Sequence, residues 1–426
     1  MLTLLLLTGG AAALTLGASL LVKGASRLAL ALGIPPLLVG LTVVACGTSA
    51  PELFVSVTGA LTGNAAIALG NVVGSNIFNI LLILGLSALA APLAVSVDLV
   101  RRDIPVMIGL SGLVWAFAAN GTVGKLEGFF LVLCLIAYLA TLAGKGGEAR
   151  NGSTPADAPG GQPPRATRAD VARACAEVAA GLALLVFGSQ WFIDGAVTVA
   201  RQLGMDDLMV GLTLVAGGTS LPELATSVAA SMKGERDIAV GNVVGSNIFN
   251  LLAVLGVTTL FTPAGVAVAA QTVAFDMAVM TGVAITCLPM CVSGARVSRG
   301  EGGVLVAYYM GYVVVLYLHA VGSPLAPALG KAVAYGLIPA VALVLCLPLA
   351  RGAGGAAIAR HAMRGARRLV VLGVGGAVLA AGVVMIVTPG PAVVFIPLGL
   401  SILATEFGWA RRLLAVARDR LRPPRS

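Results

Sequence analysis

Residues 40–85 read GLTVVACGTSAPELFVSVTGALTGNAAIALGNVVGSNIFNILLILG, and residues 211–256 read GLTLVAGGTSLPELATSVAASMKGERDIAVGNVVGSNIFNLLAVLG. The two stretches align without a gap at an offset of 171, with 29 of 46 positions identical. Similarity continues outward on both sides. VKGASRLALALGI (22–34) aligns with IDGAVTVARQLGM (193–205), and Asp103 in DIPVM answers Asp276 in DMAVM. One long unit has been duplicated, and an internal repeat of this kind decides the fold before any local reading does.

The duplicated unit is built for lipid. The 426-residue chain is 58% hydrophobic and only 11% charged, with a mean hydropathy of +1.00, whereas a soluble domain is about 25% charged. Apolar stretches of about 20 residues, enough to cross a bilayer, fall near 2–22, 28–59, 66–91, 104–119, 126–143, 172–199, 207–231, 238–261, 271–293, 302–320, 325–349, 369–387 and 391–407. The 55 glycines suit close helix–helix contact in a membrane. The first run, MLTLLLLTGGAAALTLGASLLVKG, has no positive residue ahead of it and reads as an uncleaved span rather than a signal peptide. The six cysteines lie mostly in apolar runs without metal-type spacing and read as small hydrophobes.

A net charge of +9 raises the question of a nucleic-acid partner, and the placement of the charges answers it. With the span limits above, the first loop carries Lys23 and Arg27, and every second loop after it is basic. All of the 27 Lys and Arg except Lys125, Arg201 and Lys331, which leaves 24, then share one side. That is the positive-inside pattern of a bacterial inner (cell) membrane protein with its N-terminus outside and its C-terminus cytoplasmic. The excess orients the chain in lipid, and no nucleic acid is expected.

Each repeat contains about five spans, an odd number, so equivalent helices cross the membrane in opposite directions. The fold predicted is an all-α polytopic membrane protein of two inverted five-helix repeats, related by an axis in the membrane plane, the arrangement of secondary transporters. The expected divisions are a first repeat at 1–143, a Gly/Pro-rich cytoplasmic linker at 144–170, a second repeat at 171–320 and an additional helix at 321–350. A basic loop, a transmembrane hairpin and a basic tail follow at 351–426.

The chemistry sits in two motifs, each present twice. Gly47-Thr48-Ser49-Ala50-Pro51-Glu52 and Gly218-Thr219-Ser220-Leu221-Pro222-Glu223 place a proline and a carboxylate in the middle of a span. Proline breaks the helical ladder, and broken backbone is tolerated at that depth only against protein or a water-filled cavity. Carbonyls near Ala45 and Ala216 are expected to be freed there. A mid-membrane carboxylate costs at least about 2.5–3.5 kcal/mol on insertion scales and is functional by default. In GNVVGSNIFN, residues 70–79 and 241–250, Asn71, Ser75 and Asn79 form a polar stripe that Asn242, Ser246 and Asn250 repeat. Gly70, Gly74, Gly241 and Gly245 beside it allow a neighbouring helix close. These are hard oxygen donors, and no His or Cys belongs to both copies, so the set suits Ca²⁺ or Na⁺ rather than Zn²⁺ or Cu²⁺.

Other polar residues read more plainly. Asn71, Asn76, Asn242 and Asn247 are assigned to helix–helix hydrogen bonds, and Thr226, Ser227 and Ser231 to bonds with carbonyls four residues earlier. Asp103 and Asp276 fall at helix mouths, with structural and ion-entry roles both open.

The duplicated GTSAPEL/GTSLPEL and GNVVGSNIFN motifs resemble the α-repeats of the cation/Ca²⁺ exchanger superfamily, in particular its prokaryotic Na⁺/Ca²⁺ exchangers. The resemblance covers about 1–320 and implies a ten-helix exchanger fold with four cation sites at mid-membrane. It implies as ligands Thr48, Ser49, Glu52, Ser75 and Asn79, with Thr219, Ser220, Glu223, Ser246 and Asn250, and the carbonyls of Ala45 and Ala216. Many relatives carry Asp in one copy where this chain has Asn79 and Asn250. Residues 367–415 are similar to a family of short bacterial membrane proteins named for a Pro-Gly-Pro-Gly-Trp motif. Pro389-Gly390-Pro391 is kept and Ala392-Val393 replaces the Gly-Trp.

The function implied is secondary-active Na⁺/Ca²⁺ antiport by a monomeric transport unit, with Ca²⁺ and Na⁺ as transported substrates, membrane lipid as solvent, and no cofactor or enzymatic activity. A Ca²⁺/H⁺ exchanger of the same superfamily and a passive cation channel are the alternatives. An intramembrane hydrolase using Ser49 or Ser220 would need a general base, and His319 and His361 lie outside both motifs.

Overall fold

A computed structural model describes residues 2–61, 65–152, 167–202, 216–292, 296–320, 323–331 and 333, then 396–397, 400–401, 403–404 and 407–420. The chain divides into two units, Met1–Gly355 and Ala356–Ser426.

The first repeat begins with α1 (Leu2–Leu32). Lys23 and Arg27 therefore lie on the helix and not in a loop after residue 22, a correction to the expected span limits. Nothing between 22 and 32 stops a helix, and long basic side chains keep their charge in water while their stems stay in the apolar layer. The stop comes at Gly33, whose φ of 65° is reserved for glycine. Its amide bonds Leu30 O at 3.2 Å and the Ile34 amide bonds Ala29 O at 3.0 Å, a Schellman closure ahead of Pro35 and Pro36.

The second span is α2 (Pro36–Val39), a π-helical turn (Gly40–Val44), α3 (Ala45–Thr48) and α4 (Ala50–Leu61), bent by 41° at the break. The third is α5 (Ala65–Phe78), a π turn (Asn79–Leu84) and α6 (Gly85–Ala90). After β1 (Leu93–Ala94), a π turn (Leu99–Asp103) leads into α7 (Ile104–Ala118). The repeat closes with β2 (Thr122–Val123) and α8 (Lys125–Gly152), which runs beyond its expected end into the stretch read as linker.

The second repeat follows the same plan. It consists of α9 (Arg168–Gln202), α10 (Ala216–Gly218), α11 (Leu221–Met232), α12 (Arg236–Phe249), a π turn (Asn250–Val254), α13 (Leu255–Phe261) and β3 (Val266–Ala267). A further π turn (Thr272–Asp276), α14 (Met277–Val292), β4 (Arg296–Val297) and α15 (Arg299–Ala320) complete it. Six of these helical stretches, or seven with the bent pair, are long and apolar enough to cross a membrane, so the protein is multi-pass. The π turns recur at equivalent places: both site asparagines open one, and Asp103 and Asp276 each end one. Such turns are rare and cluster at functional sites.

The inversion is visible in the packing. Helices α1 and α9, the first of each repeat, carry Gly10, Gly17 and Gly24, and Gly181, Gly188 and Gly195, which match one another at the offset of 171. A Cβ added at Gly10 would lie 2.8 Å from Gly188 O, one at Gly17 2.9 Å from Gly181 O, and one at Gly24 3.0 Å from Ala174 O. As the number falls on one helix it rises on the other, so equivalent helices lie antiparallel and backbone to backbone. The same reciprocity joins Gly85 with Gly302 and Gly128 with Gly256, at 2.6–3.2 Å.

Two short antiparallel ladders add a second proof. β1 follows the third span of the first repeat and pairs with β4, which follows the fourth span of the second (Leu93 with Val297, Ala94 with Arg296). β2 pairs with β3 in the complementary way (Thr122 with Ala267, Val123 with Val266). Connections after unlike-numbered spans share a membrane face only if the repeats are inverted.

Beyond the repeats the first unit shows α16 (Ala326–Lys331), with the Tyr308 hydroxyl donating to Val333 O at 3.0 Å. The rest of the span expected at 325–349 lies outside the described residues, as do the linker residues 153–166, the first part of the span read at 207–231, and the 369–387 span. Most of the 391–407 span does too. In the second unit α17 (Gly408–Arg420) is helical where the sequence reading ended the hairpin and placed a basic tail.

Candidate cation site

The site forms where the two broken spans meet. Ser49 (φ −81°, ψ 5°) and Ser220 (φ −90°, ψ 9°) occupy the same sparsely populated backbone region in the two copies. Each restarts a helix with proline in its first turn, where the missing amide would have no intrahelical partner in any case. That turn also carries Glu52 in α4 and Glu223 in α11. A carboxylate there faces the positive end of the helix dipole. The helix restart, not a basic side chain, makes the burial of charge tolerable.

The copies then exchange hydrogen bonds. The Ser49 hydroxyl donates to Glu223 Oε1 at 3.2 Å, and the Ser220 hydroxyl donates to Glu52 Oε1 at 2.9 Å. Ser75 Oγ lies 3.1 Å from Ser220 Oγ. Glu52 and Glu223 are 0% and 1% exposed, and Thr48, Ser49, Ser75, Asn79, Ser220, Ser246 and Asn250 are buried with them. Thr219 is half-buried, and Ala216 opens α10 directly after residues outside the description.

Several oxygens at this focus have no hydrogen-bond partner among the described residues. They are Glu52 Oε2, Glu223 Oε2, Asn79 Oδ1, Asn250 Oδ1 and Ser246 Oγ; the Asn250 amide nitrogen is likewise unpaired. Asn79 Nδ2 donates to Asn247 Oδ1 at 3.0 Å, which leaves its oxygen for the site. Among the described residues no Lys, Arg or His pairs with either glutamate, and no cluster of three or more His, Cys, Asp or Glu exists. Buried polar atoms are nearly always satisfied, and a buried charge needs a partner. Two carboxylates with unpaired amide and hydroxyl oxygens around them make a buried all-oxygen donor set, the chemistry of a candidate hard-cation site.

Ala45 departs from expectation. Its carbonyl is not freed by Pro51: it accepts the Ser49 amide at 3.0 Å, because α3 is still helical there. In an unbroken span the donor absent from Pro51 would have bonded Gly47, four residues earlier, and not Ala45. Ala45 O also lies 3.4 Å from the Thr48 hydroxyl.

The residues assigned to helix–helix bonding behave so. Asn76 Nδ2 reaches Asn247 O at 3.5 Å, and Asn71 and Asn242 each bond a neighbouring helix. The assignment of Thr226, Ser227 and Ser231 to carbonyls on their own helix is not met. Ser231 donates to Ser87 O at 2.7 Å on another span, Ser227 accepts from Asn242 at 2.9 Å, and Thr226 has no partner among the described residues. Small hydroxyls on a face pressed against another helix meet that helix's acceptors first.

Asp103 resolves as structural. It is 0% exposed and clamped by Arg102 through two bonds, 2.8 and 3.0 Å, with the Tyr138 hydroxyl at 3.1 Å. Tyr312 donates to Asp276 at 3.0 Å in the second copy, so an Asp–Tyr pair recurs in both. Tyr138 and Tyr312 are equivalent at an offset of 174, one more than that of Asp103 and Asp276.

Residues 2–144 and 175–318 match the family described as sodium/calcium exchanger protein, and 368–420 match the PGPGW transmembrane protein family. Inner membrane protein YrbG of Escherichia coli (strain K12) is 36% identical over 254 residues, 59% of this chain and 77% of that one. Sodium/calcium exchanger MaX1 of Methanosarcina acetivorans is 34% identical over 284 residues, 59% of this chain and 81% of that one. The solved structure of the sodium-calcium exchanger NCX_Mj soaked with zero Na⁺ and Ca²⁺ superposes with a TM-score of 0.63 at 29% identity, covering 74% of this chain and 99% of that one. The matched segments coincide with the two inverted repeats and leave the C-terminal segment to a second family, so the chain is a multi-pass transporter belonging to the sodium/calcium exchanger family.

Proposed function

We propose that the protein is a secondary-active Na⁺/Ca²⁺ antiporter that alternates access around a mid-membrane site. The site comprises Glu52, Glu223, Thr48, Thr219, Ser49, Ser220, Ser75, Ser246, Asn79 and Asn250, with the carbonyls of Ala45 and Ala216. The observation that supports it best is the set of buried, unpartnered oxygens around two carboxylates that have no basic partner among the described residues. Charge supports exchange. Two carboxylates balance one Ca²⁺, and three Na⁺ exceed them by a single unit, so either load crosses a dry barrier more cheaply than an empty site or both together. The names of the relatives MaX1 and NCX_Mj support Na⁺ as the counter-ion.

The cell membrane is the proposed location, with the N-terminus outside and the C-terminus cytoplasmic. Arg101, Arg102, Arg296 and Arg299 cluster beside the β1–β4 ladder and Lys125 alone beside β2–β3, which supports that orientation. The deciding experiment is Ca²⁺ uptake into vesicles containing the purified protein. Uptake driven by an outward Na⁺ gradient and indifferent to a protonophore supports the reading. Uptake that requires a pH gradient identifies a Ca²⁺/H⁺ exchanger, and unsaturable flux without dependence on Na⁺ identifies a channel; either overturns it.

A further inference from the structure

Asn71 and Asn242 stand outside the proposed ligand set, yet each grips the machinery from three directions. The Asn71 amide nitrogen donates to Glu52 O at 3.2 Å and to Ser56 Oγ at 3.0 Å, while its oxygen accepts from the Thr219 hydroxyl at 3.3 Å. Asn242 does the same in the other copy. It donates to Glu223 O at 3.4 Å and to Ser227 Oγ at 2.9 Å, and its oxygen lies 3.2 Å from Thr48 Oγ1. Thr48 has the Val44 carbonyl as a competing acceptor at 3.1 Å. One planar amide thus fixes the backbone of a carboxylate-bearing residue and ties it to a hydroxyl of the opposite repeat.

We infer that Asn71 and Asn242 are positioning residues for cation binding: each holds its own repeat's glutamate in register with the other repeat's threonine. The inference rests on the site proposed above and adds two residues that touch no ion.

The two braces are equivalent in bonding but unequal in access. Asn242 and Thr48 are fully buried, whereas Asn71 and Thr219 are half-buried. The seal over Asn242 is backbone contact. A Cβ added at Gly245 would meet Ala45 Cβ at 2.7 Å and Leu41 Cα at 2.9 Å, and one at Gly241 would meet Leu37 O at 3.1 Å. Water can therefore take over the broken bonds of Asn71 but not those of Asn242.

The test is Ca²⁺ titration of the thermal stability of the purified full-length protein, which reads a dissociation constant without requiring transport. Asn242→Ala is expected to weaken Ca²⁺ binding roughly three- to tenfold, the value of about one net hydrogen bond. Asn71→Ala is expected to weaken it less. Ser227→Ala should weaken binding in the wild-type background and add nothing to Asn242→Ala, because both disturb one network. A role confined to stability would lower the ion-free unfolding temperature and leave the dissociation constant unchanged; that result in both asparagine variants, or full additivity with Ser227→Ala, overturns the inference. Vesicle uptake run in parallel separates the two claims. Lost Na⁺ coupling with the binding shifts intact refutes exchange alone, and unshifted binding in a protein that exchanges refutes the braces alone.

Discussion

Glu223→Gln keeps the size and shape of the side chain and removes one of the two charges at the site. Glu223 is 1% exposed, its Oε1 is held by Ser49 at 3.2 Å, and its Oε2 has no partner among the described residues. Stripping one partner from a buried charge pairing costs about 3–5 kcal/mol, so Ca²⁺ should bind about 10²- to 10⁴-fold more weakly at about 1.4 kcal/mol per decade. In a chelator the sign reverses. The ion-free wild type buries two uncompensated carboxylates, the variant buries one, and the variant should unfold at the higher temperature. At a Ca²⁺ concentration 100 times the wild-type dissociation constant, the wild type gains about 2.7 kcal/mol and the variant at most about 0.4 kcal/mol. Thermal unfolding of purified protein, with chelator and then with Ca²⁺, reads both signs in one series, and vesicle uptake reads the loss of exchange. A variant that keeps the wild-type Ca²⁺ shift, or that is less stable than wild type in chelator, refutes the charge argument.

The inverted topology predicts that Ala94→Cys with Arg296→Cys, and Thr122→Cys with Ala267→Cys, form disulfides in a background without native cysteines, since cross-strand pairs sit within disulfide reach. After reduction, a membrane-impermeant thiol reagent should reach only the second pair from outside, and labelling of the first instead reverses the orientation. Gly17→Ala should destabilise the protein by about 1–3 kcal/mol through overpacking. Gly9→Ala, on the same helix with open space around it, should cost nothing measurable; equal unfolding temperatures would dismiss the backbone seam. Arg102→Ala leaves Asp103 buried without its cation and should cost about 3–5 kcal/mol. Adding Asp103→Asn should recover most of that, and failure to recover would show that the clamp is not electrostatic.

Much of this molecule was readable because duplication writes geometry into sequence. The offset of 171 placed both proline breaks, both glutamates and both Asn-Ser-Asn stripes, and the odd span count forced the inversion that α1 and α9 display. The glycine series at 10, 17 and 24, with its match at 181, 188 and 195, is also present in the letters, at a spacing of seven that keeps one helix face free of side chains. Other features needed coordinates. Whether Asp103 meets water or Arg102 depends on how the π turn at Leu99–Asp103 aims it. Whether Ser231 bonds its own helix or Ser87 depends on which face is pressed against a neighbour. The Ala45 carbonyl stays in the helix because a proline frees the carbonyl four residues before it, which for Pro51 is Gly47. The limit of the first span failed because a charge threshold stands in poorly for a helix stop, and the real stop was Gly33.

The β1–β4 ladder has a consequence for how the protein is made. Its two strands lie about two hundred residues apart in the chain, and at 5–20 residues per second synthesis of the stretch between them takes roughly 10–40 s. Throughout that interval the first half waits in the membrane with an unpaired strand edge at one face, its α1 seam uncovered and Glu52 without the hydroxyl of Ser220. Neither half is a smaller version of the whole. A nascent chain stalled after residue 143 should be a substrate for membrane proteases, and supplying the second half as a separate polypeptide should rescue it.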